Sequence, residues 1–173
     1  MRKIPSSEKH KKTKSVKNGK LKTADFPQEL TLCNRQRAVK EDWGKIREQA
    51  VFSLNAIREA AQPGAEIFAF SCIEVTIVSD KTISAIHRDF CGDPTPTDVI
   101  TFGGTGEIIL GAETIAANAR YFGSVSKREF LLCIIHGLLH LAGWKDDTPA
   151  HFRNMKTRQE KILADVLNRI RKC

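Results

Sequence analysis

The chain has 173 residues, is 41% hydrophobic, and carries 28 basic against 20 acidic side chains. That length and apolar content suit one domain of ordinary size and exclude wholesale disorder. No apolar run approaches the roughly 20 residues of a membrane-spanning helix. The net charge of +8 is local: residues 1–22 hold nine Lys and Arg against Glu8 alone, so the remainder is balanced. The charge therefore implies no positive face on the folded part.

In chain order, residues 1–28 are rich in Lys, Ser, Thr and Asn, with Pro5, Gly19 and Pro27. This stretch is expected to be a basic, flexible N-terminal arm, and residues 29–173 the folded domain. The arm reads equally as a polyanion-binding segment, with Lys11, Lys12 and Lys14 as RNA contacts, or as a solubilising extension. Met1 to His10 lacks the apolar core of a secretory signal, and the Lys-rich, unstriped pattern does not suit a mitochondrial presequence. Five cysteines without a CxxC pair point to a reduced compartment, hence the cytoplasm, with Cys72 and Cys133 as small core residues.

Leu30 to Cys33 is a strand candidate. Trp43, Ile46, Ala50, Leu54, Ile57 and Ala61 recur at helical steps within Glu41 to Ala61, and Pro63-Gly64 stops that helix. Ile67 to Val78 reads as one long strand or two. Asp80 is positioned to cap a short helix from Lys81 to about Phe90, and Cys91 to Pro96 is a loop. Val99 to Phe102 and Glu107 to Leu110 form a hairpin about Gly103-Gly104-Thr105-Gly106. Those glycines precede no Gly-Lys-Ser/Thr and complete no GxGxxG, so a phosphate loop is excluded. Ala112 to Phe122 is helical. Ser126 and Glu129 form a capping box for the next helix, and Thr148-Pro149 starts a last one. The stripe Phe152, Met155, Ile162 and Val166 is expected in the core. The sum is an α+β fold: a small mixed β-sheet packed with four or five helices, and a metal site at the end of a central helix.

The chemistry lies in His136-Gly-Leu-Leu-His140-Leu-Ala-Gly143-Trp-Lys-Asp146-Asp147. Residues four apart share a helix face, so His136 and His140 aim two imidazoles at one point. Gly143 ends the helix cheaply, and the chain folds back with a third donor. Three protein ligands plus water is the open arrangement of a catalytic zinc site. Asp146, Asp147 and His151 compete for the third place, and Asp146 keeps the offset that the bend sets. Gly137 stands where HExxH peptidases carry their general base, which counts against a metallopeptidase.

These motifs resemble the bacterial YbeY family, the endoribonuclease and ribosomal-RNA maturation factor. The family's core pattern HGxLHLxGyDH is matched from His136 to Asp146. Its PTDVLSF pattern is matched by Pro96-Thr97-Asp98-Val99-Ile100-Thr101-Phe102, and a weakened LGDI strand by Glu107-Ile108. Met155 and Glu160 match its downstream helix. The resemblance implies one zinc ion per chain, in a basic groove, and hydrolysis of single-stranded RNA. It places that activity in 16S rRNA 3′-end maturation and ribosome quality control, with rRNA and the small ribosomal subunit as partners and no small-molecule cofactor. Two departures stand out. Asp146 occupies the place of a family histidine and Lys145 that of an aspartate. Cys91 occupies the place of an arginine that Arg88, three residues earlier, is the candidate to replace. These departures favour, as the alternative, a non-catalytic ribosome-assembly or RNA-binding factor that keeps a metal for stability. Asp98 and Thr97 read either as a loop brace or as neighbours of the zinc.

Overall fold

The computed structural model describes residues 26–27 and 29–170. The expected arm, with Lys11, Lys12 and Lys14, lies outside the described residues apart from its last turn of sequence. There the reading needs correcting: Phe26 is buried in the core. Its ring meets Phe68 edge-on at 5.9 Å, and the Arg58 guanidinium lies 5.0 Å from its centroid.

Four strands form one mixed sheet in the order β1-β2-β4-β3. They are β1 (Glu29–Asn34), β2 (Cys72–Val78), β3 (Val99–Phe102) and β4 (Glu107–Gly111). β1 and β2 are parallel, β2 and β4 are parallel, and β3 closes the edge antiparallel to β4. The five helices are α1 (Trp43–Ala60), α2 (Asp80–Cys91), α3 (Ala112–Tyr121), α4 (Ser126–Leu141) and α5 (Pro149–Ile170). The expected α+β architecture is thus observed.

α1 is the crossover between parallel strands β1 and β2. Asp42 caps it by accepting from the Lys45 N–H, and Ile46, Ala50, Leu54 and Ile57 form its buried stripe. Trp43 at its start packs edge-on against Phe130 of α4, with centroids 5.0 Å apart. α4 lies at the centre, between the sheet and α1, α3 and α5, and buries Phe130, Leu131, Ile134, Ile135, Leu138, Leu139 and Leu141. Its apolar residues are not confined to one stripe, as expected of a helix enclosed on most sides.

Three local expectations fail for identifiable reasons. Residues 66–69 form a 3₁₀ turn, and the strand begins only at Cys72. β-branched and aromatic residues fill either geometry, and here Ile67 and Phe68 serve to pack the turn against the core. The cap of α2 is Ser79, whose hydroxyl accepts from the Thr82 N–H. Asp80 instead reaches α3, accepting from the Thr114 N–H at 3.0 Å and its hydroxyl at 2.8 Å, while Glu113 accepts from the Asp80 N–H. The capping box at α4 does not form, because the helix starts one residue early. Val125 takes the cap position, the Ser126 hydroxyl has no partner among the described residues, and Glu129 turns to Arg128.

Candidate metal centre

The end of α4 makes the site. Gly143 takes φ +90°, the left-handed region that glycine enters without a Cβ penalty. Its N–H bonds to the His140 carbonyl at 2.9 Å, and the Trp144 N–H reaches back to the Leu139 carbonyl at 3.0 Å. This is the paired-bond termination of a Schellman motif. The Gln62 N–H bonds the Ala142 carbonyl, which ties this end of α4 to the segment after α1. The Trp144 side chain is held from two sides, by its indole N–H on the Ala60 carbonyl at 2.8 Å and by Arg158 stacked 4.1 Å from the ring. The reversed chain then delivers Asp146 to the histidine face.

His136, His140 and Asp146 come together there, with one donor atom from each and all three atoms within 4.8 Å of one another. The two Nε2 atoms are 3.0 Å apart, and Asp146 Oδ2 lies 3.6 and 3.7 Å from them. Metal–nitrogen bonds of about 2.0–2.1 Å in tetrahedral array put ligand atoms about 3.3–3.4 Å apart. The observed triangle fits that size, and imidazole with carboxylate fits zinc chemistry. Both rings are also oriented from behind. His136 Nδ1 faces Gln159 Oε1 at 2.9 Å and His140 Nδ1 faces the Trp144 carbonyl at 3.1 Å. Both partners are acceptors, which suits rings that carry a proton on Nδ1 and offer the Nε2 lone pair to a metal. The rivals Asp147 and His151 bond each other on an exposed surface and lie outside this group. The hydrogen bond from His151 holds the Asp147 carboxyl below its usual range.

Gln159 and the Trp144 carbonyl are partners of the two histidines that sequence reading missed. Gln159 stands 23 residues after His136, on a helix whose packing no spacing rule encodes. Gln159→Leu should leave the fold intact and weaken metal affinity about 10- to 100-fold, read by competition with a chromogenic chelator. Unchanged affinity would show that the bond is incidental.

Burial and then the neighbouring His136 imidazole hold His140 below the ordinary histidine value, against the pull of Asp146 and of the bond to the Trp144 carbonyl. Without metal, the folded chain thus takes up this proton less readily than the unfolded chain. The associated stability is present above the unfolded value of about 6.5 and is lost as pH falls through the folded one. Metal-free protein should therefore melt at lower temperature at about pH 5 than at about pH 7, and less so in His140→Gln. An identical pH dependence in the variant would contradict this.

Two cavities meet at the histidines. A groove of about 570 Å³ runs past His136 and Asp146, lined also by Asp98, Glu129, Cys133, Phe122, Phe152 and Gln159. A smaller one, about 300 Å³, is lined by both histidines together with Glu66, Val99, Thr101 and Gly103. The larger groove is not the basic one that the resemblance implies. Its wall carries four carboxylates, Asp98, Glu129, Asp146 and Glu160, against Arg128 and Lys156, and Arg128 is already paired with Glu129 at 2.9 Å and Glu160 at 2.6 Å. Asp98 lines the larger groove together with His136; its backbone carbonyl accepts from the Gly111 N–H, and its carboxylate meets the Thr97 hydroxyl at 3.4 Å. Cys133 is half-buried and packs against the core, as expected; Cys72 is half-buried in β2. Burial of the Cys133 thiol, followed by Asp98 and Glu129, pushes its pKa up, so it offers no ready thiolate to a metal.

Arg88 lines neither cavity. It sits in the last turn of α2, paired with Asp89 and 60% exposed. Cys91, at the family's arginine position, is exposed too. Gly137 is buried where α4 crosses the sheet, and a Cβ there would lie 3.0 Å from Ile108 and from the Thr101 hydroxyl. A side chain as large as glutamate would require Ile108 and Thr101 to give way, so the peptidase arrangement is poorly accommodated on this helix. Phe152 is another correction. Met155, Ile162 and Val166 are buried as expected, but Phe152 is 56% exposed, at the mouth of the larger groove.

Comparison with known proteins gives one consistent result. Residues 31–167 match the family described as Endoribonuclease YbeY. The Endoribonuclease YbeY of Moorella thermoacetica is 31% identical over 139 residues, covering 70% of this chain and 89% of that protein. That of Bacillus pumilus is 30% identical over 144 residues, covering 72% and 91%. The solution structure of a Thermotoga maritima protein superimposes with a TM-score of 0.57 at 27% identity, covering 83% of this chain and 92% of that one.

Proposed function

The chain belongs to the Endoribonuclease YbeY family, and from that premise we propose that it is a zinc-dependent endoribonuclease that cuts single-stranded RNA. The observation that carries the metal part is the donor triangle of His136, His140 and Asp146, with both imidazoles oriented through Nδ1. Bound there, zinc supplies Lewis acidity to a phosphoryl oxygen and to a water molecule. The protein's own groups do the rest. Gln159 and the Trp144 carbonyl keep the imidazoles aimed with Nε2 toward the metal position, and Asp146 would offset part of the metal's charge. Glu66, which lines the smaller cavity with both histidines, is a carboxylate able to accept the proton that an attacking oxygen gives up.

The substrate we propose is rRNA in the cytoplasm, at 16S 3′-end maturation and in ribosome quality control, with the small ribosomal subunit as partner. The family motifs support this reading. No helix among the described residues is long and apolar enough to cross a membrane. Purified protein should cleave a labelled single-stranded RNA and spare the same sequence in a duplex. Equal cleavage of both would refute the single-strand assignment.

A second reading, a metal-stabilised assembly factor without catalysis, is favoured by the acid-rich groove and by Cys91. It predicts RNA that is bound but left intact by metal-loaded protein. In either reading the basic arm supplies non-specific affinity. Deleting residues 1–22, which carry the whole net charge, should weaken RNA binding and flatten its salt dependence. An unchanged salt slope would show the arm to be a bystander.

A further inference from the structure

The larger groove has a composition that a phosphate backbone does not explain. Its carboxylates repel phosphate, yet its mouth carries large aromatic side chains left in water. Phe122 is 69% exposed and Phe152 56%, with Tyr121 beside Phe122 at 83%. These rings stand on fixed backbone. Phe122 closes α3, its N–H on the Asn118 carbonyl at 2.9 Å, and the Tyr121 ring abuts its own edge-on at 5.0 Å. Phe152 lies in the first turn of α5, its N–H on the Thr148 carbonyl at 2.8 Å. Exposed aromatics on a fixed backbone beside a metal centre are what a single-stranded nucleic acid stacks its bases on. The groove, about 570 Å³, falls within the range of roughly 300–1,000 Å³ typical of small-ligand sites.

Farther in, Asp98 differs from the other carboxylates. Glu129 and Glu160 are both paired with Arg128, whereas the side-chain contact of Asp98 is a long one, 3.4 Å from the Thr97 hydroxyl. An ionised carboxylate is an acceptor only, so it favours a group that donates N–H. Cytosine, adenine and guanine present an amino group on their pairing edge; uracil presents none, only a single N3–H flanked by two carbonyl oxygens.

We propose that this groove is a nucleobase site: one unpaired base next to the bond to be cut stacks on Phe122 and Phe152, and its amino group donates to Asp98. The phosphates then stay outside, near Lys156. This rests on the RNA reading of the metal site and deepens it. A paired base cannot enter, so single-strand specificity follows, together with a preference for the amino-bearing bases over uracil at that position.

The test uses full-length, zinc-loaded protein and 2′-O-methyl RNA octamers, one series carrying 2-aminopurine, whose fluorescence is quenched by stacking. Wild type should quench the probe and bind C-containing octamers more tightly than U-containing ones. Phe122→Ala/Phe152→Ala should lose the quenching and bind about tenfold or more weakly, with zinc content unchanged because both rings are exposed. Asp98→Asn should lose the preference for C while binding to U is unaffected. Cleavage of ordinary single-stranded RNA is measured in parallel. If wild type cleaves but the double phenylalanine variant binds and quenches normally, the base site is wrong and the nuclease reading stands. If wild type fails to cleave yet shows phenylalanine-dependent quenching, the base site stands and the nuclease reading falls. If the double variant loses self-association by sedimentation while RNA binding is unchanged, the patch joins two copies and the base site is overturned.

Discussion

His136→Ala should cost the protein its metal and its RNA cleavage together while the fold survives. The His136 side chain is 23% exposed, and the packing of α4 rests on Phe130, Leu131, Ile134 and Leu138 instead. Removing it leaves two donors from this cluster, His140 and Asp146, which make an incomplete cage. Lewis-acid stabilisation is worth several kcal/mol, so cleavage should fall by about three orders of magnitude or more. The melting temperature should approach that of metal-stripped wild type. Full metal occupancy in a His136→Ala/His140→Ala double variant would remove the basis of the site.

Asp146 carries the second large effect. Its Oδ2 completes the triangle at 3.6 and 3.7 Å. Asp146→Ala should weaken metal binding by at least about 100-fold, beyond what loss of an orienting partner does. Asp146→His should keep the metal, since imidazole is an equally suitable donor at the same offset. Asp147→Ala and His151→Ala are the controls. Those side chains are 60% and 50% exposed and satisfy each other, so neither change should matter. Wild-type affinity in Asp146→Ala combined with its loss in His151→Ala would move the third donor to the start of α5.

Much of this was legible in the sequence because the signals are local. The helical period of Ile46, Ala50, Leu54 and Ile57, the glycines of the β3–β4 turn, and the His136–His140 spacing each act within a few residues. Gly143 was legible for the same reason: only glycine enters the left-handed turn there without penalty. What was not legible depends on partners far along the chain. Ile67 and Phe68 are strand-forming side chains, yet tertiary packing turns residues 66–69 into a 3₁₀ segment. Ser126 and Glu129 have capping-box spacing, but Arg128 takes Glu129, bridging it to Glu160 of α5. Gln159 looks like any surface glutamine until α5 lies across α4. Phe152 fits the helical stripe, yet the stripe's first turn overhangs the groove. The acid-rich lining was hidden because Asp98, Glu129, Asp146 and Glu160 come from separate elements. The family resemblance gave the site its chemistry in advance but misjudged the charge of its surroundings.

The most direct test of a zinc-dependent nuclease is metal content measured beside cleavage of a single-stranded RNA, before chelation, after chelation and after zinc is returned. The account predicts about one zinc per chain, cleavage lost with the metal, and cleavage restored when zinc is added back. Cleavage that continues at full rate in protein shown to hold no metal would contradict it.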